Sequence, residues 1–210
     1  MEDYLASLTA EINKFKAWAA AYHYAGIGEW ECNYGNWRDL YRVFERFIYH
    51  IPFQLWTQET IDLILYAIAR DNDIEELIDV VARDPERLIF LAERAVTSTE
   101  RDAKWQFAVA LGRVDQQLYP TEALLTRLMD DENEYVRRRA LHALADIGSA
   151  KVTEMVKPAW ESNHEYQRMT VLYALWKIDS PLLIEYLEQA MSDGRTYLMN
   201  YAQRIRAGHP

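Results

Sequence analysis

A fourteen-residue segment is written twice in this chain, and the duplication sharply limits the folds open to it. EYVRRRALHALADI (Glu134 to Ile147) aligns with EYQRMTVLYALWKI (Glu165 to Ile178) at an offset of 31 residues, with seven identities. A shared apolar stripe would match the Leu and Ala columns. It would not also match Glu134, Tyr135 and Arg137 with Glu165, Tyr166 and Arg168. Self-similarity at this period means stacked supersecondary units, each unable to bury its apolar face alone.

The period extends in both directions. DAKWQFAVALGRV (Asp102 to Val114) falls under the same columns 33 residues upstream, placing Lys104 with Arg137 and Leu111 with Leu144. Downstream, an offset of 27 sets Arg195 with Arg168, Met199 with Leu172 and Ile205 with Ile178. Between the copies, shorter apolar segments begin with helix-start signals at Thr121, Ser149 and Ser180, the last with Pro181 at the first helical position. Each unit therefore reads as two antiparallel helices. An acidic turn (Asp130, Asp131) leads into Val136, Arg137, Ala140, Ala143, Leu144 and Ile147, and this pattern resembles a HEAT repeat. The resemblance covers about residues 85 to 207, and the second copy departs from it at Gln167 and Val171. It implies an all-α fold, a right-handed α-solenoid of antiparallel helix pairs, in which the second helix of each pair lines the concave surface. No strand pattern occurs.

Upstream, Tyr4, Leu5, Leu8, Ile12, Phe15, Trp18, Ala19 and Tyr22 recur at spacings of three and four, predicting an amphipathic helix closed by Gly26 and Gly28. Asn36 and Asp39 suggest a capping pair for a second helix, whose buried face carries Trp37, Leu40, Tyr41, Phe44, Phe47, Ile48 and Ile51 before Pro52 stops it. Residues 1–56 thus read as an aromatic-rich helical cap, and residues 57–210 as HEAT-like repeats continuous with it in a single domain. Asp73 with Glu76 is expected to cap the helix holding Leu77 and Val80, and Asp84–Pro85 to start the next.

Several function classes are disfavoured. No run of eighteen apolar residues is present, and the N-terminus lacks the basic start and apolar stretch of a secretory signal. The lone cysteine, Cys32, fits a reducing, cytoplasmic compartment and an inert thiol. There is no phosphate-binding glycine loop, no H-E-x-x-H, no C-x-x-C and no G-x-S-x-G, and the five histidines lack ligand spacing, so neither metal, cofactor nor catalytic residue is expected. The net charge of −10 opposes phosphate binding and membrane surfaces. That acidity is concentrated in residues 1–100, which hold nine Lys/Arg against eighteen Asp/Glu.

Two sets of residues are candidates for partner binding. The acidic turn Asp71, Asp73, Glu75 and Glu76 could steer a basic partner, although carboxylates at a helix start also serve the helix dipole. On the inner helices, positions left over by the apolar columns are Trp105, Gln106, Val109 and Arg113, then Arg138, Arg139, His142 and Asp146, then Met169, Thr170, Tyr173 and Lys177, and finally Thr196, Asn200 and Arg204. Together they would make a basic, aromatic groove. The column Lys104, Arg137, Arg168 and Arg195 is expected to bridge repeats through turn carboxylates. HEAT-like resemblance implies three functions. One is a non-enzymatic protein binder, such as an immunity protein neutralising a basic bacterial toxin domain. The others are an alkylpurine DNA glycosylase using Trp105, Arg138, Arg139 and Tyr173, and a bilin-lyase-like protein.

Overall fold

The computed structural model describes residues 3–22, 30–114 and 120–208. Gly26, Gly28, His23, His209 and the Cys32 side chain, on which expectations were placed, lie outside the described residues. Among the described residues there are twelve α-helices and no strand. The chain divides into two compact units, 1–110 and 111–210.

The first unit contains α1 (Tyr4–Ala21), α2 (Trp37–His50), α3 (Gln58–Arg70), α4 (Glu76–Ala82), α5 (Pro85–Ala95) and α6 (Arg101–Leu111), which ends at the unit boundary. The position 56/57 lies inside this unit, where α1 packs on both α2 and α3, and α2 also packs on α4. The aromatic-rich N-terminal region is present as a ring cluster around Phe15, which meets Trp18, Tyr34, Trp37 and Tyr66. α3 is buried nearly all round, as its apolar run requires. Asp84 caps α5 through the Glu86 and Arg87 amides, with Pro85 at the first turn.

Two expected caps are corrected. Asn36 makes no side-chain cap, and Asp39 pairs with Arg42 one turn along. α4 is capped from six residues back: the Asp71 carboxylate accepts the Leu77 amide at 2.9 Å, and the N-cap position itself is Glu75, in a left-handed conformation (φ 60°) and with no side-chain cap bond.

The second unit stacks three helix pairs: α7 (Thr121–Leu128) with α8 (Glu134–Asp146), α9 (Val152–Glu161) with α10 (Glu165–Lys177), and α11 (Leu183–Met191) with α12 (Thr196–Arg206). α10 is the middle of the row, packed on α8 on one side and α12 on the other. Its apolar columns match those of its neighbours: Ala140, Val171 and Ala202 are fully buried, and so are Val136 and Leu198 on either side of buried Gln167. These equivalences put the third copy 31 residues on, not 27. The shorter offset fails because Arg195 is the residue before α12, one turn outside the helix that Arg168 occupies in the second copy. Pro181 likewise precedes α11 rather than opening it.

The polar members of the repeat join one copy to the next. Arg168 reaches the Asp193 carboxylate in the turn before α12, and Arg195 chelates the same carboxylate at 2.5 and 2.6 Å. The two guanidiniums hold the Asp193 carboxyl down to about 2. Glu165 accepts the Leu198 amide at 3.1 Å, supplying a partner to the first turn of the next inner helix. Arg137 differs from Arg168: it donates to the Asp131 and Glu132 carbonyls before its own helix, so it does not bridge to a turn carboxylate as expected.

Candidate functional site

On the α8–α10 row, a single carboxylate gathers three of the expected side chains. His142 Nδ1 lies 3.0 Å from Asp146 Oδ2, the Tyr173 hydroxyl donates to Asp146 Oδ1 at 2.5 Å, and Lys177 Nζ is 3.8 Å from the same oxygen. The His142 and Tyr173 rings are stacked at 3.9 Å and 10°. Burial lowers the His142 pKa against the opposing pull of Asp146, while burial and the bond to Asp146 raise that of Tyr173. Neutral His142 therefore donates from Nδ1, leaving Nε2 as an acceptor.

One turn earlier on α8, Arg138 lies over the rings of Tyr135 and Tyr166, at 4.6 and 5.1 Å, and Arg139 donates to the Tyr135 hydroxyl at 2.5 Å. Tyr135 and Tyr166 are equivalent residues of consecutive copies, so Arg138 is a cationic link between repeats. The α12 contribution differs from the expected one at Thr196, which falls in the Glu165 column, while Asn200 stays on this face in the Met169 column. The corrected register puts Tyr201 in the Thr170 column and Arg204 in the Tyr173 column, with the Arg204 guanidinium 5.8 Å from the Tyr201 ring.

The remaining inner-helix residues do not join this face. Trp105 is only 5 % exposed, and Gln106 beside it is fully buried with its amide donating to the Ile68 carbonyl at 2.7 Å. α6 is enclosed almost all round, because Ala103, Phe107, Ala108, Ala110 and Leu111 occupy its other sides. Trp105 is thus a core residue and not a groove residue. Arg113 is exposed in the turn beyond the end of α6.

The acidic turn separates in the same way. Asp73 and Glu76 are exposed and Glu75 is half-buried, but Asp71 is 2 % exposed and belongs to the interior, corrected from the surface role expected of it. Its carboxylate accepts the Tyr41 hydroxyl at 2.7 Å as well as the Leu77 amide. Burial pushes its pKa up to about 6, beyond what the backbone and Tyr41 donors restore. Ile74, at the tip of the turn, is 63 % exposed between these acids. Ile74 and Asp71 line a cavity of about 210 Å³ with Trp37 and Tyr41. Among the described residues no group of His, Cys, Asp and Glu could hold a metal ion.

Residues 121–202 match the family model for HEAT repeats. The chain is a HEAT-repeat-like helical protein. No curated protein matches it. The matched residues run from the start of α7 into α12, so the HEAT-like segment contains the whole Asp146 cluster and the Arg138 link. HEAT-like stacks present extended surfaces often used to bind other proteins. No helix of the described residues is long and apolar enough to cross a membrane. The cavity beside the acidic turn lies outside the matched HEAT-like residues, and sequence reasoning missed it. Trp37 and Tyr41 have the spacing of a buried helix face, and nothing in the local pattern links them to Asp71, which follows Tyr41 by thirty residues.

Proposed function

We propose that this chain is a non-enzymatic protein-binding scaffold whose partner is a basic protein, in its most concrete form an immunity protein that neutralises a bacterial toxin in the cytoplasm. The observation that carries the reading is the turn before α4. There an exposed isoleucine, Ile74, is ringed by Asp73, Glu75 and Glu76 in the half of the chain that holds eighteen acids against nine bases. An apolar centre excludes water when covered, and an acidic rim accelerates encounter with a cationic surface. Many toxins are basic nucleases, for which such a surface is complementary. The test adds the purified protein to basic toxin nuclease domains and follows their cleavage of nucleic acid. Stoichiometric inhibition, with association slowed by salt and by Asp73, Glu75 and Glu76 reversed to Lys, is the expected result. Failure to inhibit, and absence of any basic protein co-purifying from the native host, would remove the proposal.

A second reading is favoured by the cationic, aromatic face of α8 and α10: a nucleic-acid enzyme of the glycosylase kind. Against it stand the net charge of −10 and the engagement of Arg138 and Arg139 with Tyr135 and Tyr166. A salt titration of duplex DNA binding separates the two. The glycosylase reading requires a steep salt slope that is lost in Arg138→Ala/Arg139→Ala, together with release of alkylated bases.

A further inference from the structure

The cavity beside the acidic turn combines aromatic rings with buried carboxylates, and capping accounts for only one of these, Asp71. One wall is aromatic: Trp37 and Tyr41, one turn apart on α2, hold their rings within 22° of parallel at 5.5 Å. Asp71 faces the same space, withdrawn from water and held by neutral donors, the Tyr41 hydroxyl and the Leu77 and Glu76 amides. No lysine, arginine or histidine among the described residues forms an ion pair with it. Arg70, its chain neighbour on the cavity wall, is directed elsewhere, to the Glu100 carboxylate at 3.1 Å and the Tyr66 ring at 4.7 Å. A second carboxylate, Glu31, lines the same cavity while only 5 % exposed, and its backbone carbonyl accepts the Trp37 indole N–H at 2.8 Å. Asp73 and Ile74 stand at the turn that borders the opening.

A buried carboxylate without a cation is a costly arrangement in a folded protein, and the raised pKa of Asp71 reports that cost. Aromatic faces and anions in a low-dielectric pocket together attract organic cations, whose charge is diffuse or carried on an apolar stem. We propose that this cavity is a subsite for a cationic side chain, lysine or arginine, presented by the protein partner. The inference rests on the reading above that the partner is basic, and it names the group that the partner inserts. The stem packs against Trp37 and Ile74, and the charged head meets Asp71 and Glu31.

The experiment follows the Trp37 indole N–H resonance of the full chain by nitrogen–proton correlation while Nα-acetyl-lysine methylamide is added. The arginine analogue and the uncharged norleucine analogue serve in parallel. A saturable shift with a cationic probe, and none with norleucine, is expected. Asp71→Asn is expected to weaken that binding on the order of tenfold, the ratio of dissociation constants read from the titrations. Because Asp71 also caps α4, Asp73→Asn at the exposed rim provides a variant that leaves the fold intact, and it is expected to weaken binding by about two- to threefold. An indole resonance that stays in place at probe concentrations on the order of 10 mM, or that moves equally with norleucine, overturns the subsite. If the lysine probe binds but no basic toxin is inhibited, the subsite stands and the proposed function falls. If a toxin is inhibited equally well by wild type and Asp71→Asn, the function stands and the subsite falls.

Discussion

Asp71 sets a pH dependence that is the reverse of that of most carboxylates. Its carboxyl is held at about 6 against an ordinary 3.8, so between these values the native state carries a proton that the unfolded chain has released. Ionisation of Asp71 therefore detracts from stability above about pH 6, and this loss fades as the pH falls toward 4. Asp71→Asn, which keeps an oxygen for the α4 cap, is expected to gain on wild type as the pH rises from about 4 to 6, and to hold that gain at a constant level above about 6. Thermal midpoints of both proteins across that range check it, and a difference that does not vary with pH contradicts the buried placement. A second residue-scale expectation concerns the turns that end the inner helices. Gly148 and Gly208 adopt φ of 67° and 79°, but the equivalent position of the second copy is Asp179, at 52°. The turns are alike, with Ser149 donating to Leu144 and Ser180 to Leu175 across the helix end. Asp179→Gly relieves a side chain that disfavours this conformation, and a gain on the order of 0.5 kcal/mol in urea denaturation is expected.

At the scale of the helix, the buried columns of α8 and α10 have little room to relax, because α10 packs on α8 on one side and on α12 on the other. Leu144 and Leu175 are fully buried equivalents, and truncation of either to Ala is expected to cost about 2 to 5 kcal/mol, measured by chemical denaturation. An unchanged midpoint in both would mean that the columns have been matched wrongly. Arg168→Met keeps the stem but removes the bond to Asp193 across the repeat junction, and a loss of about 1 to 3 kcal/mol is expected from the same measurement. The duplication was legible because its identities are of two kinds. Leu and Ala recur where the core repeats, while Glu165 and Arg168 recur where each copy must satisfy the next one's turn. The third copy was misplaced because its apolar columns carry Leu198, Ala202 and Ile205 while its only matching arginine, Arg195, sits outside the helix. Trp105 departs for a related reason: column transfer assumes that the same columns stay free on every inner helix, and on α6 the Trp105 and Gln106 columns are buried. The cavity was not legible at all, since it depends on α2 and the α3–α4 turn meeting in space.

For the molecule as a whole, charge decides how a partner is met before shape decides how it is held. With eighteen acids against nine bases in residues 1–100, capture of a basic protein is expected to slow as salt is raised from about 50 to 200 mM while dissociation changes little. Stopped-flow association with an identified partner measures this, and a salt-sensitive dissociation rate would instead indicate ion pairs at the centre of the contact. The constant spacing of the second unit has a consequence of another kind. Because Glu134, Glu165 and Thr196 open successive inner helices 31 residues apart, and because each junction reuses the same turn, the gene can be cut and rejoined at equivalent codons. Removing residues 148–178 would set the α10-facing side of α8 against the α10-facing side of α12, in effect editing the array by one module as unequal crossing-over does.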